Sequence, residues 1–392
     1  MKINSLRKAE GLRGKRVFVR TDFNVPIAKG KVLEDHKIIA GLETIIFLSH
    51  IGAKVIVASH LGDPRGRKVS ALSLKPVADR LRKLSGQSVK FHAQIIGGAT
   101  VKAVEKLKDG EIMLLENLRF NQGEYNDAPV FAASLAELAD IYVNDAFAVS
   151  HRSQASVSAI KKYLPSYAGL LLEKEILSFQ KIIQPKKPLV VVLGGAKIST
   201  KAPLIKNLHV SSSKILIGGA LANNFLRQSG REIGKSLFDE GSEAVVKSLL
   251  RNKGIMSKLI LPVDYVVKRK NGRAYAVSQD DVQSSDKILD IGPESIKTFS
   301  RYIKKAKTLF WNGPMGKFEE RSFRHGTLAV ASLVAARSSG LAYGVVGGGE
   351  TVAALKLAGL SEYIDWVSTG GGASLSYIGG VKMPGLKGII KA

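Results

Sequence analysis

The chain contains no cysteine, which excludes disulfides and thiolate metal sites and fits a reducing interior. No segment approaches 18 uninterrupted apolar residues, so no membrane span is expected. Met1 to Arg20 carry many charges and no apolar run of signal-peptide length, which points to a cytoplasmic protein. Acidic residues are few: 33 Asp and Glu face 59 Lys and Arg, a net charge of +26. That surplus draws anions towards the protein. The basic clusters Lys186-Lys187, Lys268-Arg269-Lys270 and Lys304-Lys305 are short and dispersed, with no aromatic interleaving, so they read as solvated faces rather than a nucleic-acid track. The Gly-x-x-x-x-Gly-Lys-[Ser/Thr] phosphate loop is missing. What is present, 392 residues of which 45% are hydrophobic, suffices for two cores and excludes disorder.

The informative centre is Pro188-Leu-Val-Val-Val-Leu-Gly-Gly-Ala-Lys-Ile-Ser-Thr-Lys201. Leu189 to Leu193 reads as a strand buried on both faces. Gly194 and Gly195 permit a tight turn and close approach to a ligand. A helix from Ile198 would open its free N–H groups beside them, and Lys197 and Lys201 fall four apart on one helical face. Together these parts describe a seat for phosphate oxygens, although a plain strand-to-helix turn with two surface lysines fits this segment equally well.

Strands are expected at 15–20, 54–59, 111–115 and 141–144, each followed by polar residues: Asp22 and Asn24 around Phe23, His60, Arg119, and His151 with Arg152. These residues fall just past the carboxyl ends of candidate parallel strands, the rim at which open α/β sheets bind ligands. Converging cations imply a phosphate or carboxylate. Asp35 is expected to cap a helix running to His50, with Lys37 opposing the dipole in its first turn. A helix over 167–183 and the Pro185-Lys-Lys-Pro188 link suggest a domain joint near Lys186.

The second half repeats strand-then-glycine: 214–217 into Gly218-Gly219, 307–311 into Asn312-Gly-Pro-Met-Gly316, 341–346 into Gly347-Gly-Gly-Glu-Thr351, and 366–367 into Ser368-Thr-Gly-Gly-Gly-Ala373. The spacing has no fixed period, so this is no repeat array. Glycine turns gathered on one sheet rim make a smooth slot lined by backbone donors, which suits a nucleotide.

In their order along the chain, Val19-Arg-Thr-Asp-Phe-Asn-Val-Pro26, Ser59-His-Leu-Gly62, Leu115-Glu-Asn-Leu-Arg-Phe120, Val143-Asn-Asp-Ala-Phe147, Leu193-Gly-Gly-Ala-Lys197, Leu261-Pro-Val-Asp264, Asp290-Ile-Gly-Pro293, Trp311-Asn-Gly-Pro-Met-Gly316, Gly347-Gly-Gly349 and Val367-Ser-Thr-Gly-Gly-Gly-Ala373 resemble the phosphoglycerate kinase family from Arg16 onward. The resemblance implies two Rossmann-like three-layer (αβα) domains with mostly parallel sheets. A hinge helix would join them, with the active site in the interdomain cleft. It implies a triose-phosphate-binding domain over 1–185, a nucleotide-binding domain over 186–369, and a tail from about 370 crossing back.

The implied reaction is reversible phosphoryl transfer between 1,3-bisphosphoglycerate and ADP, giving 3-phosphoglycerate and ATP with Mg²⁺, by a monomer. Substrate contacts would come from Asp22, Phe23, Asn24, Lys37, His60, Leu61, Gly62, Asp63, Arg119 and Arg152. Nucleotide contacts would come from Gly195, Ala196, Lys197, Lys201, Gly219, Asn312, Pro314, Glu319, Gly347, Gly348, Gly349, Glu350 and Thr351. Glu350 would meet the metal carried by the nucleotide, while Lys37, Lys197, Lys201, Gly371 and Gly372 would stabilise the phosphoryl in flight. The attacking carboxylate is already ionised, so alignment and charge neutralisation suffice and no general base is needed.

Four positions depart from the family pattern: Lys37 and Asp63 stand in place of arginines, and Thr200 and Glu350 in place of aspartates. Lysine keeps a charge but loses the planar fork. Asp63 reverses a charge beside a phosphate, with Arg65 or Arg67 as substitutes. Two further readings follow: a slow or altered relative of the family, and a basic phosphate-binding protein with affinity for nucleic acid.

Overall fold

The computed structural model describes residues 2–391. The chain divides into two compact units, Met1–Ile176 with Lys382–Ala392 and Leu177–Val381. The division falls inside the helix Leu170–Ile183, ahead of the proline link at which the sequence suggests a joint.

In the first unit six strands form one sheet in the order Val89–His92, Ile112–Leu115, Lys54–Ala58, Arg16–Arg20, Ile141–Asn144, Ser166–Ala168. Every pairing in it is parallel. The inner strands carry apolar, β-branched runs because both faces are covered; Val17, Val19, Val55, Val57, Ile112 and Leu114 are fully buried in one cluster with Ile45 and Leu48 of the helix His36–His50. Asp35 precedes that helix but makes no capping hydrogen bond with its side chain; it pairs with Arg80 instead. Ile390–Lys391 pairs antiparallel with Lys2–Ile3. The segment before it is pinned by Lys161, whose Nζ donates to the carbonyls of Pro384 and Lys387 at 2.6 and 2.8 Å.

The second unit holds another all-parallel sheet, ordered Leu259–Ile260, Lys214–Ile217, Leu189–Leu193, Thr308–Asn312, Tyr343–Gly347, Trp366–Val367. Leu189–Leu193 is buried throughout, as its composition requires. The helices Pro293–Ile303 and His325–Ser338 cover one side through Phe299, Ile303, Val330 and Val334. An antiparallel sheet of Ala274–Ser278, Asp264–Lys268 and Lys287–Ile291 adds a small cluster of its own around Tyr265 and Val267. The sequence reading passes over this sheet, as it does Val89–His92, and it places Tyr167 and Ala168 in a helix where the structure has the strand Ser166–Ala168, the helix starting only at Leu170. Both sheets thus match the expected pair of α/β layers.

Candidate active site

In the first unit the parallel register aligns Arg20 with Ala58 and Asn144, and Val57 with Leu114. The segments following these strands therefore leave from one edge of the sheet. Asp22 and Asn24 flank Phe23, whose ring lies wholly in the core. The Asp22 carboxylate accepts from the Asn24 amide at 3.0 Å and from Lys37 Nζ at 2.8 Å. Asn24 Oδ1 accepts from the Gly62 amide at 2.9 Å, tying the second loop to the first. Burial opposes the Asp22 charge, but the Lys37 ammonium, through its field and its hydrogen bond, and the Asn24 amide hold its pKa below the ordinary carboxylate value, aided by His60 only when that ring is protonated. His60 is itself driven well below the usual imidazole range, first by burial and then by Arg20, Arg119 and Lys37, against the pull of Asp22. At neutral pH His60 is uncharged, so Lys37 is the cation that matters to Asp22.

Arg119 is 5% exposed. Its Nη1 donates to the Gly62 carbonyl at 2.7 Å, while its Nε is buried without a partner. Burial and the neighbouring Arg20 and Arg152 charges lower its pKa. A desolvated guanidinium with a spare donor, near a second arginine, favours an anionic ligand. Arg152 is exposed, while the Nδ1 of neighbouring His151 is buried and unpartnered. Asp63 is exposed and bonded to Tyr125 rather than directed at a cation of the pocket floor. Phe23 and Leu61 are core residues, so only their backbone is available to a ligand.

Sequence reasoning missed Arg20. It is fully buried, donates to Ser156 Oγ at 2.7 Å, approaches Glu124 Oε1 at 3.6 Å and reaches His60 Nδ1 at 3.4 Å. Glu124 accepts from Ser156 N and Oγ at 2.9 and 2.7 Å. The available signal was an arginine closing an otherwise apolar strand, a position that burial permits only with a partner.

In the second unit the loops after Leu189–Leu193 and Thr308–Asn312 cross at contact distance. The Gly194 amide donates to the Asn312 carbonyl at 3.0 Å and the Gly195 amide to the Pro314 carbonyl at 2.9 Å. A Cβ on Gly194 would lie 2.0 Å from the Pro314 oxygen, and one on Gly313 would lie 2.3 Å from the Gly194 oxygen. Glycine is required at both crossings on steric grounds alone. Asn312 links three parts: its Nδ2 donates to the Gly347 carbonyl at 2.7 Å, its Oδ1 accepts from Lys201 Nζ, and the next amide, of Gly313, donates to Thr351 Oγ1 at 2.6 Å.

Gly194, Gly195, Lys201, Asn312, Gly313 and Thr351 line a cavity of ≈ 340 Å³ with Lys197, Gly348, Gly349, Glu350, Gly371 and Gly372. A second, mostly apolar cavity of ≈ 360 Å³ includes Gly219, Leu237, Pro314, Met315 and Glu319. Gly195, Ala196 and Glu350 line both, so the polar and apolar compartments adjoin. Burial lowers the Lys201 ammonium to about 8, partly offset by the field of Glu350. Thr200 bonds within its own turn, to the Lys197 carbonyl at 3.0 Å. The helix Ile198–Leu208 does not present all its first amides to the cavity, because Asp239 accepts from Ser199 N and Oγ at 3.1 and 3.0 Å. Gly347 is buried behind the 348–351 loop rather than lining the cavity.

Among the described residues no cluster of three or more His, Asp or Glu side chains could hold a metal ion. Glu350 alone offers a carboxylate on the polar cavity, which suits a magnesium ion brought in on nucleotide phosphates rather than one caged by protein. No helix among the described residues is long and apolar enough to cross a membrane.

Two parallel α/β units, one with buried cations on its rim and one with a glycine-walled trough, define a two-domain phosphate-handling enzyme. The phosphoglycerate kinase family model matches residues 6–381, and the chain belongs to that family. The phosphoglycerate kinase of Borreliella burgdorferi (strain ZS7) is 42% identical over 392 residues, 99% of each chain. That of Desulfosudis oleivorans is 43% identical over 386 residues, 97% of each. Among solved structures, phosphoglycerate kinase from Coxiella burnetii superposes with a TM-score of 0.86 at 36% identity over 98% of both chains. The Pyrococcus horikoshii OT3 enzyme gives 0.85 at 30% identity over 98% of this chain and 97% of its own.

Proposed function

We propose that the chain catalyses reversible phosphoryl transfer between 1,3-bisphosphoglycerate and ADP, giving 3-phosphoglycerate and ATP. The family match across 6–381 carries this reading. The first unit takes the triose: Arg119 and Arg152 receive its phosphate, Asp22, Asn24 and neutral His60 its hydroxyl and carboxyl end, and Lys37 stands by the reacting carboxyl. The second unit takes the Mg-nucleotide: the apolar compartment receives the base, Glu319 the ribose, and the Gly348–Thr351 loop, Lys197 and Lys201 the phosphates. Glu350 would ligate the magnesium, which neutralises phosphate charge.

A carboxylate attacks phosphorus directly, so no proton need be removed. What the chain must supply is alignment and positive charge for three equatorial oxygens, from Lys37, Lys197, Lys201 and the Gly371 and Gly372 amides. We place the enzyme in the cytoplasm as a monomer.

The test is ADP formation from ATP and 3-phosphoglycerate by the purified protein in a coupled assay. A folded sample that binds nucleotide yet makes no ADP in the presence of 3-phosphoglycerate overturns the reading. A slower relative of the family is the second reading, favoured by the engagement of Lys37 with Asp22.

A further inference from the structure

The turn from Gly62 to Gly66 grips Arg119 at both ends. The Gly62 carbonyl accepts from Arg119 Nη1 at 2.7 Å, and the Gly66 amide donates to the Arg119 carbonyl at 3.1 Å. Between those ends the backbone is held in an unusual form, with φ of +61° at Gly62, +53° at Arg65 and +79° at Gly66. A non-glycine residue such as Arg65 stays in that region only when its surroundings hold it there.

Tyr125 supplies that hold from outside the turn. Its hydroxyl accepts from the Arg65 amide at 3.0 Å and donates to Asp63 Oδ1 at 2.8 Å. Its ring lies with the Arg119 guanidinium carbon 5.7 Å from the centroid. One side chain therefore braces the middle of the turn and faces the cation that the turn's ends fasten.

The geometry points to Tyr125 and Asp63 as a positioning pair for Arg119, setting the affinity of the first unit for the phosphate end of its acid substrate. The inference rests on the triose-phosphate reading of this pocket. Asp63 is then no failed phosphate ligand. Its Oδ1 is turned to Tyr125, and the Tyr125 hydrogen bond, with a lesser one from Arg65, holds its carboxyl below the ordinary value against desolvation. Arg65 is 84% exposed and meets Asp63 only through Nε at 3.4 Å, which makes it part of the brace rather than a replacement ligand. Arg119 keeps a buried, unpartnered Nε, and a donor in that state repays accurate placement because its own desolvation is already met before any partner arrives.

Tyr125→Phe removes the hydroxyl and keeps the ring. Loss of the two hydrogen bonds of that hydroxyl, felt at Arg119 as about 1 kcal/mol, corresponds to roughly a five-fold rise in KM for 3-phosphoglycerate. KM for ATP and kcat at saturation should change less than about two-fold, since uniform binding is what has been lost. In an Asp63→Ala background the same Tyr125→Phe change should cost less than it does in the wild type, because the Tyr125–Asp63 bond is already gone and only the bond from the Arg65 amide remains to be lost. Calorimetric titration with 3-phosphoglycerate, and separately with inorganic phosphate, reads the same losses without turnover.

An unchanged KM and Kd in Tyr125→Phe, or an equal rise in KM for ATP, overturns the proposal. If the wild-type protein binds 3-phosphoglycerate but does not turn over, the kinase reading fails while the calorimetric series still decides this one. If it neither turns over nor binds 3-phosphoglycerate or phosphate, both fall.

Discussion

Lys37 Nζ lies 2.8 Å from Asp22 Oδ2, in the first turn of the helix His36–His50. The cation that occupies the place of a family arginine is thus committed to a largely buried carboxylate on its own rim, with side-chain exposures of 21% and 11%. An ammonium so held is a point charge with donors to spare, but without the flat two-pronged face that a guanidinium offers a phosphoryl group. Lys37→Arg is therefore expected to raise kcat several-fold, and Lys37→Ala to lower it by about 100-fold with a smaller change in KM for 3-phosphoglycerate. Steady-state kinetics of both variants check this; equal kcat in wild type and Lys37→Arg contradicts it.

Lys201 is expected to give the enzyme an alkaline limb. Burial holds its ammonium near 8. The charged form is needed for phosphate, so kcat/KM for ATP should fall as pH rises through about 8 in the free enzyme. Bound phosphates favour the charge, which moves the corresponding limb of kcat to higher pH. Lys201→Arg should shift the limb of kcat/KM upward. A flat profile to pH 9.5 in the wild type counts against this assignment.

The glycines separate into two kinds by what a methyl group would meet. At Gly194 it would collide with a backbone oxygen at 2.0 Å, so Gly194→Ala should cost stability by more than about 2 kcal/mol in urea melts. At Gly372 nothing lies within 4 Å. Gly372→Ala should leave the melt unchanged and lower kcat about ten-fold, by keeping the phosphoryl away from the amide. Loss of stability in Gly372→Ala, or full activity, refutes this assignment.

Two buried carboxyls act on folding in the direction opposite to acid denaturation. Burial raises Asp290 to about 7 from 3.8, against donation by the Gly326 and Ile291 amides. It raises Asp145 to about 6, against the Leu172 amide, Thr44 and the Leu171 amide. In each case the folded state binds the proton more tightly than the unfolded chain. Their stabilising contribution is complete below about 3.8 and is lost as pH rises through 6 and 7. The urea midpoint should carry this negative slope between those limits, and Asp290→Asn should make the decline shallower. An identical slope in the variant removes Asp290 as its source.

Much of this arrangement was legible in the sequence where one physical requirement dominated. Leu189–Leu193 and Ile141–Asn144 are long enough and apolar enough to be read as parallel strands to the residue, and the polar residues that end such strands fall on the rim. What escaped notice depends on partners distant in sequence. The strand Ala274–Ser278 is at most half-buried, and its neighbours are separated from it by charged turns. Arg20 reads as an ordinary strand residue until Glu124 and Ser156 arrive beneath it. Asp35 looks like a cap by position, yet Arg80, on the helix Lys75–Ser85, claims its carboxylate. Asp63 looks like a lost ligand until Tyr125 is placed above it. Side chains with two eligible roles are decided by tertiary neighbours, which local spacing does not encode.

The segment that Lys161 holds through the carbonyls of Pro384 and Lys387 belongs to the first unit. It also supplies the Gly385 carbonyl to Asn144 Nδ2, at 3.1 Å, beside the strand that ends at Asn144. On the ribosome this piece emerges only after every residue of the second unit has been made. The first unit is therefore completed only after the second has been made, and until Gly385 has followed, the chain around Asn144 and Ser150 lacks the partner that covers it.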